Sequence, residues 1–506
     1  LSATNDESRH LVRGYALLET LDFRLNIDHP PVANLFDAIP LAFMDLEFDF
    51  EDEYWKTGNK DFVASEFFAS WNNEKIWEIL FFGRAMNLLF FLGTSALVFF
   101  SSRKIFGTKT SWIAFFFTIF SPNLIGHGAV VSTDMSATFF ATAIFSFIIF
   151  HFYEFDKIKN IIILSFLFTL SIATKYSLVV FSIIIFVFLL FLSRKNFLRN
   201  IILIGLLTIF FLAGIYQFKF QTIEESFGDD EISKVSVELF LDDSNENEKK
   251  FANWFYKDLK IPYSYFLRGF LDNGFGSFSG ISRPRTSYLF GRFTNSGFRE
   301  FFVSSFLLKT PIYLPIFFGI YIFRFFKFKN YKSEELFLLS SIFFLYFIVS
   351  IGKLNLGYRH IMIAEPAIII LSASIFSKKS FSNLFYYFLM IFGIVSVIKF
   401  RENLISYTNE IVPEKERFKV FNDSNLEWGQ NEFFARYFSE NMNKKNLKTE
   451  IFTEKNAKTL KNDFDGYVIV SANYLIDAPW HEDRADFLIS KEPIYVINGS
   501  FYVFEV

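Results

Sequence analysis

Blocks of about twenty apolar residues with few charges recur from residue 77 to residue 399, and they constrain this chain more than anything else in it. As a helix, such a block crosses a hydrocarbon core roughly 30 Å thick. Inside that core a helix satisfies its own backbone polar groups, which an irregular segment cannot do. The expected fold class is therefore a polytopic α-helical membrane protein. Spans are expected over 77–101, 111–126, 134–153, 160–174, 176–193, 200–217, 301–323, 335–352, 359–377 and 381–399, roughly ten in all.

Lys and Arg in the short connections orient these spans. One set of alternate connections holds Arg103, Lys104 and Lys109, then Lys157 and Lys159, then Arg194, Lys195 and Arg199. The same set continues with Arg324, Lys327, Lys329 and Lys332, and ends with Lys378 and Lys379. Every member is basic, so this side is read as cytoplasmic. Residues 1–76, the long loop 218–300 and the tail 401–506 then face outward, with the bundle at 77–400 between them.

Two segments of the first loop have an amphipathic period, 7–21 and 32–44, and are expected as helices along the membrane surface. His29-Pro30-Pro31 forces an extended turn between them, because each Pro fixes its own φ and biases the residue before it. Gln430–Met442 reads as a helix. KTEIFT, DGYVIVSA and EPIYVINGSFYVFEV read as strands, with Asn498-Gly499 at a hairpin turn. The tail is thus expected to be a small extracytoplasmic α/β domain.

The 77 Phe residues reflect codon bias and mark no aromatic box. The net charge of −3 leaves no basic field for a nucleic-acid partner. The absence of Cys excludes disulfides and thiolate metal sites. The chain opens on Leu1 with no apolar segment before the first loop, so a processed or truncated start is expected, with a preceding signal-anchor helix missing from it.

The unusual polar residues collect on the outward side: Asp6, Glu7, His10, Asp28, His29, Asp134, Lys175, Arg292, Lys309, Arg359 and His360. Ionisable groups beside apolar spans are costly and tend to be functional or paired. A transporter or flippase of lipid-linked sugars would carry them near mid-membrane, whereas collection at one interface points to a reaction at that surface. Each residue also has a plainer reading. Asp6 and Asp134 suit helix starts. Lys175 suits snorkelling. Arg359-His360 suits interfacial anchoring. Asp28-His29 suits a solvated turn or, as carboxylate and imidazole, a divalent metal.

The motifs Asp6-Glu7-Ser8-Arg9-His10-Leu11 and Leu21-Asp22-Phe23-Arg24-Leu25-Asn26-Ile27-Asp28-His29-Pro30-Pro31 open a longer series. It continues with Ser121–Asp134, Thr174-Lys175, Gly291–Pro311, Gly357–His360 and Asp423–Gln430. Together they resemble the bacterial, phospholipid-carrier-dependent, protein-mannosyltransferase-like glycosyltransferases of the GT-C fold. Two departures stand out: Asp28 replaces the usual Glu before His-Pro-Pro, and Leu21 replaces a Gly.

The resemblance implies transfer of a sugar from a polyprenyl-phosphate donor to an acceptor hydroxyl, with inversion, at the outer face of the bacterial cytoplasmic membrane. The acceptor would be a glycan, lipid or protein. It implies Asp6 as general base, Glu7 in support and Asp134 orienting the acceptor or Asp6. His10, His29, Lys175, Arg292, Lys309, Arg359 and His360 are expected against substrate. A divalent metal at Asp28 and His29 is the one cofactor expected.

Overall fold

The computed structural model describes residues 2–192, 196–227, 246–275, 286–353, 355–377, 383–453, 465–476 and 486–506. Arg194, Lys195, Lys378, Lys379 and the Arg283-Pro284-Arg285 segment lie outside these residues. The chain is predominantly helical and divides into two compact units. One comprises Leu1–Asn5, Thr94–His127 and Pro284–Val506; the other comprises Asp6–Gly93 and Gly128–Arg283.

Four described helices are long and apolar enough to cross a membrane: Asn73–Phe106, Thr133–His151, Phe197–Ile215 and Ser333–Ile351. A fifth crossing arises if Phe301–Lys309 and Tyr313–Phe328, which meet at 117°, form one span. Helix also forms within the other expected spans, but in shorter pieces. Residues 111–126 are not continuous: Thr108–Ile119 ends before Ser121, and Pro122–Gly128 starts afresh. Pro122 lacks the N–H that a helix interior needs but suits a first turn. Pro311 divides 301–323 for the same reason. Residues 359–377 begin as 3-10 turns and become α-helical over Glu365–Ala373, with Pro366 in the first turn.

In the unit containing Asp6–Gly93, the helix Glu7–Thr20 is followed by Pro31–Ala38, which tightens to a 3-10 turn over Ile39–Phe43. Neither of the first two helices lies open on one face. Glu7 and every residue from His10 to Leu17 are buried. The surface-lying arrangement expected for 7–21 is thus replaced by packing on both sides. Gly14 permits it, since a Cβ there would fall on the Asn34 carbonyl oxygen and 2.6 Å from the Ala38 Cβ. Leu17 and Phe23 join Ile172, Tyr176, Leu212, Tyr216 and Phe266 in one apolar cluster.

In the unit containing Pro284–Val506, strands β1 (Ser287–Leu289) and β2 (Arg292–Thr294) form an antiparallel hairpin. The tail forms a four-stranded sheet from β3 (Thr449–Phe452), β4 (Tyr467–Ser471), β5 (Tyr495–Ile497) and β6 (Phe501–Glu505), in the order β3-β4-β6-β5. β3 and β4 are parallel and the other pairs antiparallel. Asn498 (φ 47°) and Gly499 (φ 74°) make the tight turn between β5 and β6. The helix Glu432–Asn443 covers the sheet, packing Ala435 against Ile469, Ile497, Phe501 and Val503.

Candidate active site

Asp6 precedes the first helix, but its side chain makes no capping bond to that helix. It pairs with Arg9 at 3.2 Å, and its side chain keeps 27% of its exposure. Arg9 is shared with Asp61, at 2.7 Å. The carboxylate is therefore close to a cation yet accessible. Glu7 is wholly buried. It accepts from Arg84 Nε at 2.8 Å and Nη2 at 2.7 Å, and from the Val131 amide at 2.9 Å. Two adjacent acids thus have separate environments: Asp6 faces solvent, and Glu7 clamps three segments of chain together.

His10 lies one helical turn beyond Asp6 and is buried. Its Nδ1 is 2.8 Å from Asn34 Oδ1, and its ring centroid is 5.2 Å from that of His29. Burial and the Arg13 charge hold its pKa down at about 4. His29 is likewise pushed well below the usual range, by burial, His10 and Arg13. Both rings are neutral at physiological pH.

Asp28 pairs with Arg13 at 2.9 Å and with Lys60. Burial alone would raise its pKa; the two cations overcome that and hold it well below the carboxylate range. The backbone beside it is fixed as well, since the Ile27 carbonyl accepts from Tyr176 Oη at 3.0 Å. Asp28 and His29 do not fit a metal centre in this arrangement. The carboxylate is matched by two cations, and no group of three acids or imidazoles placed to hold a metal occurs among the described residues.

Asp134 is buried and paired with Lys175. The cap of the helix Thr133–His151 is Ser132, whose Oγ accepts from the Asp134 amide, so the Asp134 carboxylate is not the cap. Lys175 reaches that carboxylate instead of snorkelling. The Val32 amide donates to the Ala173 carbonyl at 3.0 Å, tying the His-Pro-Pro turn to the Thr174-Lys175 corner. Asp134 and Lys175 also act electrostatically on His10 and His29 respectively. Asp6, His10, Asp28, Asp134 and Lys175, spread over 169 positions, thus lie in one unit.

Arg292, Lys309, Arg359 and His360 belong to the other unit. Arg292 is exposed and paired with Glu300 at 3.0 Å. Lys309 is fully buried and donates to the carbonyls of Ile405, at 2.7 Å, and Asn425. The Arg359 guanidinium lies over the Trp428 ring at 4.3 Å, and His360 follows it in the same 3-10 turn. Asn425 Oδ1 accepts from the Tyr358 amide at 2.9 Å, so the Gly357–His360 and Asp423–Gln430 motifs interlock.

Sequence reasoning missed Arg13, Asn34, Lys60, Arg84 and Trp428, which hold the expected residues in place. It also missed Asp37, a buried acid whose pKa is raised well above the carboxylate range by burial and Glu7. Asn34 and Asp37 lie three apart on the helix that follows His-Pro-Pro. Two polar residues on the packed side of a short apolar helix were the available signal.

Residues 65–216 match the family model described as dolichyl-phosphate-mannose-protein mannosyltransferase. This part of the chain is mannosyltransferase-like. The mannosyltransferase-like segment contains Arg84, Asp134 and Lys175, and the Asp6–Pro31 motifs precede it. No curated protein matches the chain. Among solved structures, it is similar to ArnT from Cupriavidus metallidurans bound to undecaprenyl phosphate, with 11% identity and a TM-score of 0.49. That match covers 81% of this chain and 62% of ArnT, so the chain spans about three fifths of that protein's length. It is also similar to the archaeal oligosaccharyltransferase AglB from Archaeoglobus fulgidus in complex with an inhibitory peptide and a dolichol-phosphate. There the identity is 12%, the TM-score 0.45, and the coverage 100% of this chain and 70% of AglB.

Proposed function

We propose that the chain is a membrane glycosyltransferase. It moves a hexose from a polyprenyl-phosphate donor to a hydroxyl of a glycan, lipid or protein, at the outer face of a bacterial cytoplasmic membrane. One observation carries this reading: an accessible Asp6 carboxylate stands at the edge of a buried charged network continuous in sequence with the mannosyltransferase-like segment. A partly dry carboxylate is a suitable general base. The acceptor hydroxyl gives its proton to an Asp6 oxygen as the acceptor oxygen bonds the anomeric carbon. The carbon–oxygen bond to phosphate breaks, and its electron pair leaves with the lipid phosphate. Attack opposite the leaving group inverts the anomeric centre. Lys175 supplies positive charge for the departing phosphate, and Asp134 orients the Lys175 ammonium. Glu7 supports the base from behind, through Arg84 and Val131. In the other unit, Arg359 and His360 form an anion contact of their own.

Membranes holding the protein, supplied with radiolabelled polyprenyl-phosphate hexoses, test this directly. Wild type is expected to move label from lipid to acceptor, and Asp6→Asn to lose transfer at unchanged expression and melting temperature. Retained transfer by Asp6→Asn would remove the base assignment. A transporter or flippase of lipid-linked sugars is the second reading. It draws on the 117° junction between Phe301–Lys309 and Tyr313–Phe328, since transporters build their sites at interrupted helices. In that case the label crosses the membrane still attached to its lipid.

A further inference from the structure

His10 sits at one end of a buried relay whose direction is set at the other end. The far terminus is the backbone carbonyl of Arg13, which only accepts hydrogen bonds. The Asn26 atom facing it, at 3.4 Å, is therefore the amide nitrogen. Asn26 then turns its Oδ1 toward Asn34, which donates from Nδ2 at 2.9 Å. Asn34 is left with Oδ1 facing His10 Nδ1 at 2.8 Å. An amide oxygen accepts, so His10 Nδ1 must carry the proton. All four residues are buried, where a misdirected polar group is costly. This chain of donors also resolves the amide orientations, which are otherwise ambiguous in Asn side chains.

One tautomer is thereby imposed, with a lone pair on His10 Nε2. That nitrogen makes no hydrogen bond among the described residues. The groups acting on the ring are Arg13, Asp6 and Asp134, together with the His29 imidazole. The outcome of their competition with burial is a neutral ring. A neutral ring with an Nε2 lone pair repels phosphate oxygens, which are acceptors too. It suits a hydroxyl.

We propose that His10 Nε2 accepts a hydrogen bond from a sugar hydroxyl of the lipid-linked donor, in a tautomer dictated by the Asn34–Asn26–Arg13 carbonyl relay. This rests on the transferase reading and assigns His10 to the sugar, not to the phosphate. Asn34 and Asn26 are positioning residues acting through it.

Nitrogen NMR on histidine-labelled protein in nanodiscs reads the proposal without turnover. The six histidines reduce to one signal set by difference against His10→Gln. The expected result at pH 7 is a neutral, Nδ1-protonated His10. An Nε2-protonated ring or an imidazolium overturns the relay. Farnesyl phosphate and a panel of farnesyl-phosphate hexoses are then titrated. A His10 Nε2 signal that moves with at least one hexose-bearing lipid, and not with farnesyl phosphate, supports the assignment. Equal movement with both, or movement with neither, overturns it.

In the transfer assay, His10→Phe keeps an aromatic ring without the acceptor nitrogen. It is expected to raise the donor KM about 5- to 10-fold, the loss of roughly one neutral hydrogen bond. His10→Gln, which restores an acceptor oxygen, is expected to recover part of that. Equal KM values for wild type and His10→Phe overturn the proposal. A wild type that transfers no sugar removes the transferase reading, while the tautomer measurement still stands by itself.

Discussion

Replacing Glu7 with Ala should weaken the fold more than any exposed acid of the first loop would. The carboxylate is wholly buried and accepts two bonds from the Arg84 guanidinium and one from the Val131 amide. Truncation leaves both donors facing a void. Breaking a buried ion pair from one side costs about 3–5 kcal/mol. The Arg84 side chain keeps 19% exposure and regains some water, so the expected loss is about 3 kcal/mol, at the low end of that range. Glu7→Gln keeps the shape and one acceptor oxygen but loses the charge, for about 1–2 kcal/mol. Glu7→Leu with Arg84→Met removes both charges at once and should cost less than Glu7→Ala alone. Thermal unfolding in detergent reads all three. At roughly 2–4 °C per kcal/mol, Glu7→Ala should melt about 6–12 °C below wild type. A melt within about 1 °C of wild type would refute the clamp. Scaled to folded protein, Glu7→Gln should keep most transfer, in contrast to Asp6→Asn.

Acid should destabilise the same unit in a defined window. The folded-state pKa of His10 lies near 4, below its unfolded value near 6.5. The unfolded chain therefore binds a proton first. The His10 contribution is whole above about pH 6.5 and falls by roughly 1.4 kcal/mol per pH unit down to about pH 4. His10→Gln should flatten the melting temperature over that interval, and an unchanged slope would count against it. Gly14→Ala pushes a methyl group into the Asn34 carbonyl and the Ala38 side chain. Overpacking of this kind costs about 1–3 kcal/mol. Because it displaces Asn34, whose hydrogen bond raises the pKa of His10, it should also lower that pKa further, which a proton titration of the ring would follow.

The helices were legible in the sequence because lipid and protein interior both select long apolar runs. The interruptions at Pro122 and Pro311 were equally visible as residues, but an apolar average over about twenty positions conceals them. The β5–β6 hairpin was legible because Asn498-Gly499 tolerates positive φ at two adjacent positions. The burial of Glu7–Leu17 was not. An amphipathic pattern states which side of a helix is apolar, and it cannot state that Glu7, His10 and Arg13 on the polar side find partners in chain up to 124 residues distant.

That limit explains which site residues could be named from sequence and which could not. Asp6, His10, Asp134 and Lys175 stand out because a charge beside an apolar segment is rare. Arg13 and Lys60 do not, since a lone Arg or Lys is commonplace in a polar loop; Arg84, inside the long apolar helix Asn73–Phe106, carried the same signal and was passed over. Yet these three decide how the acids behave. Arg84 turns Glu7 into a structural clamp. Arg13 and Lys60 hold Asp28 ionised and leave it a poor metal ligand. Arg13 also helps keep His10 neutral. Asp6 differs because its partner, Arg9, is shared with Asp61 and partly exposed. Of the adjacent pair Asp6-Glu7, only Asp6 keeps side-chain exposure. The division of labour between two neighbouring acids follows from which cation each one meets, and that is a property of the folded chain.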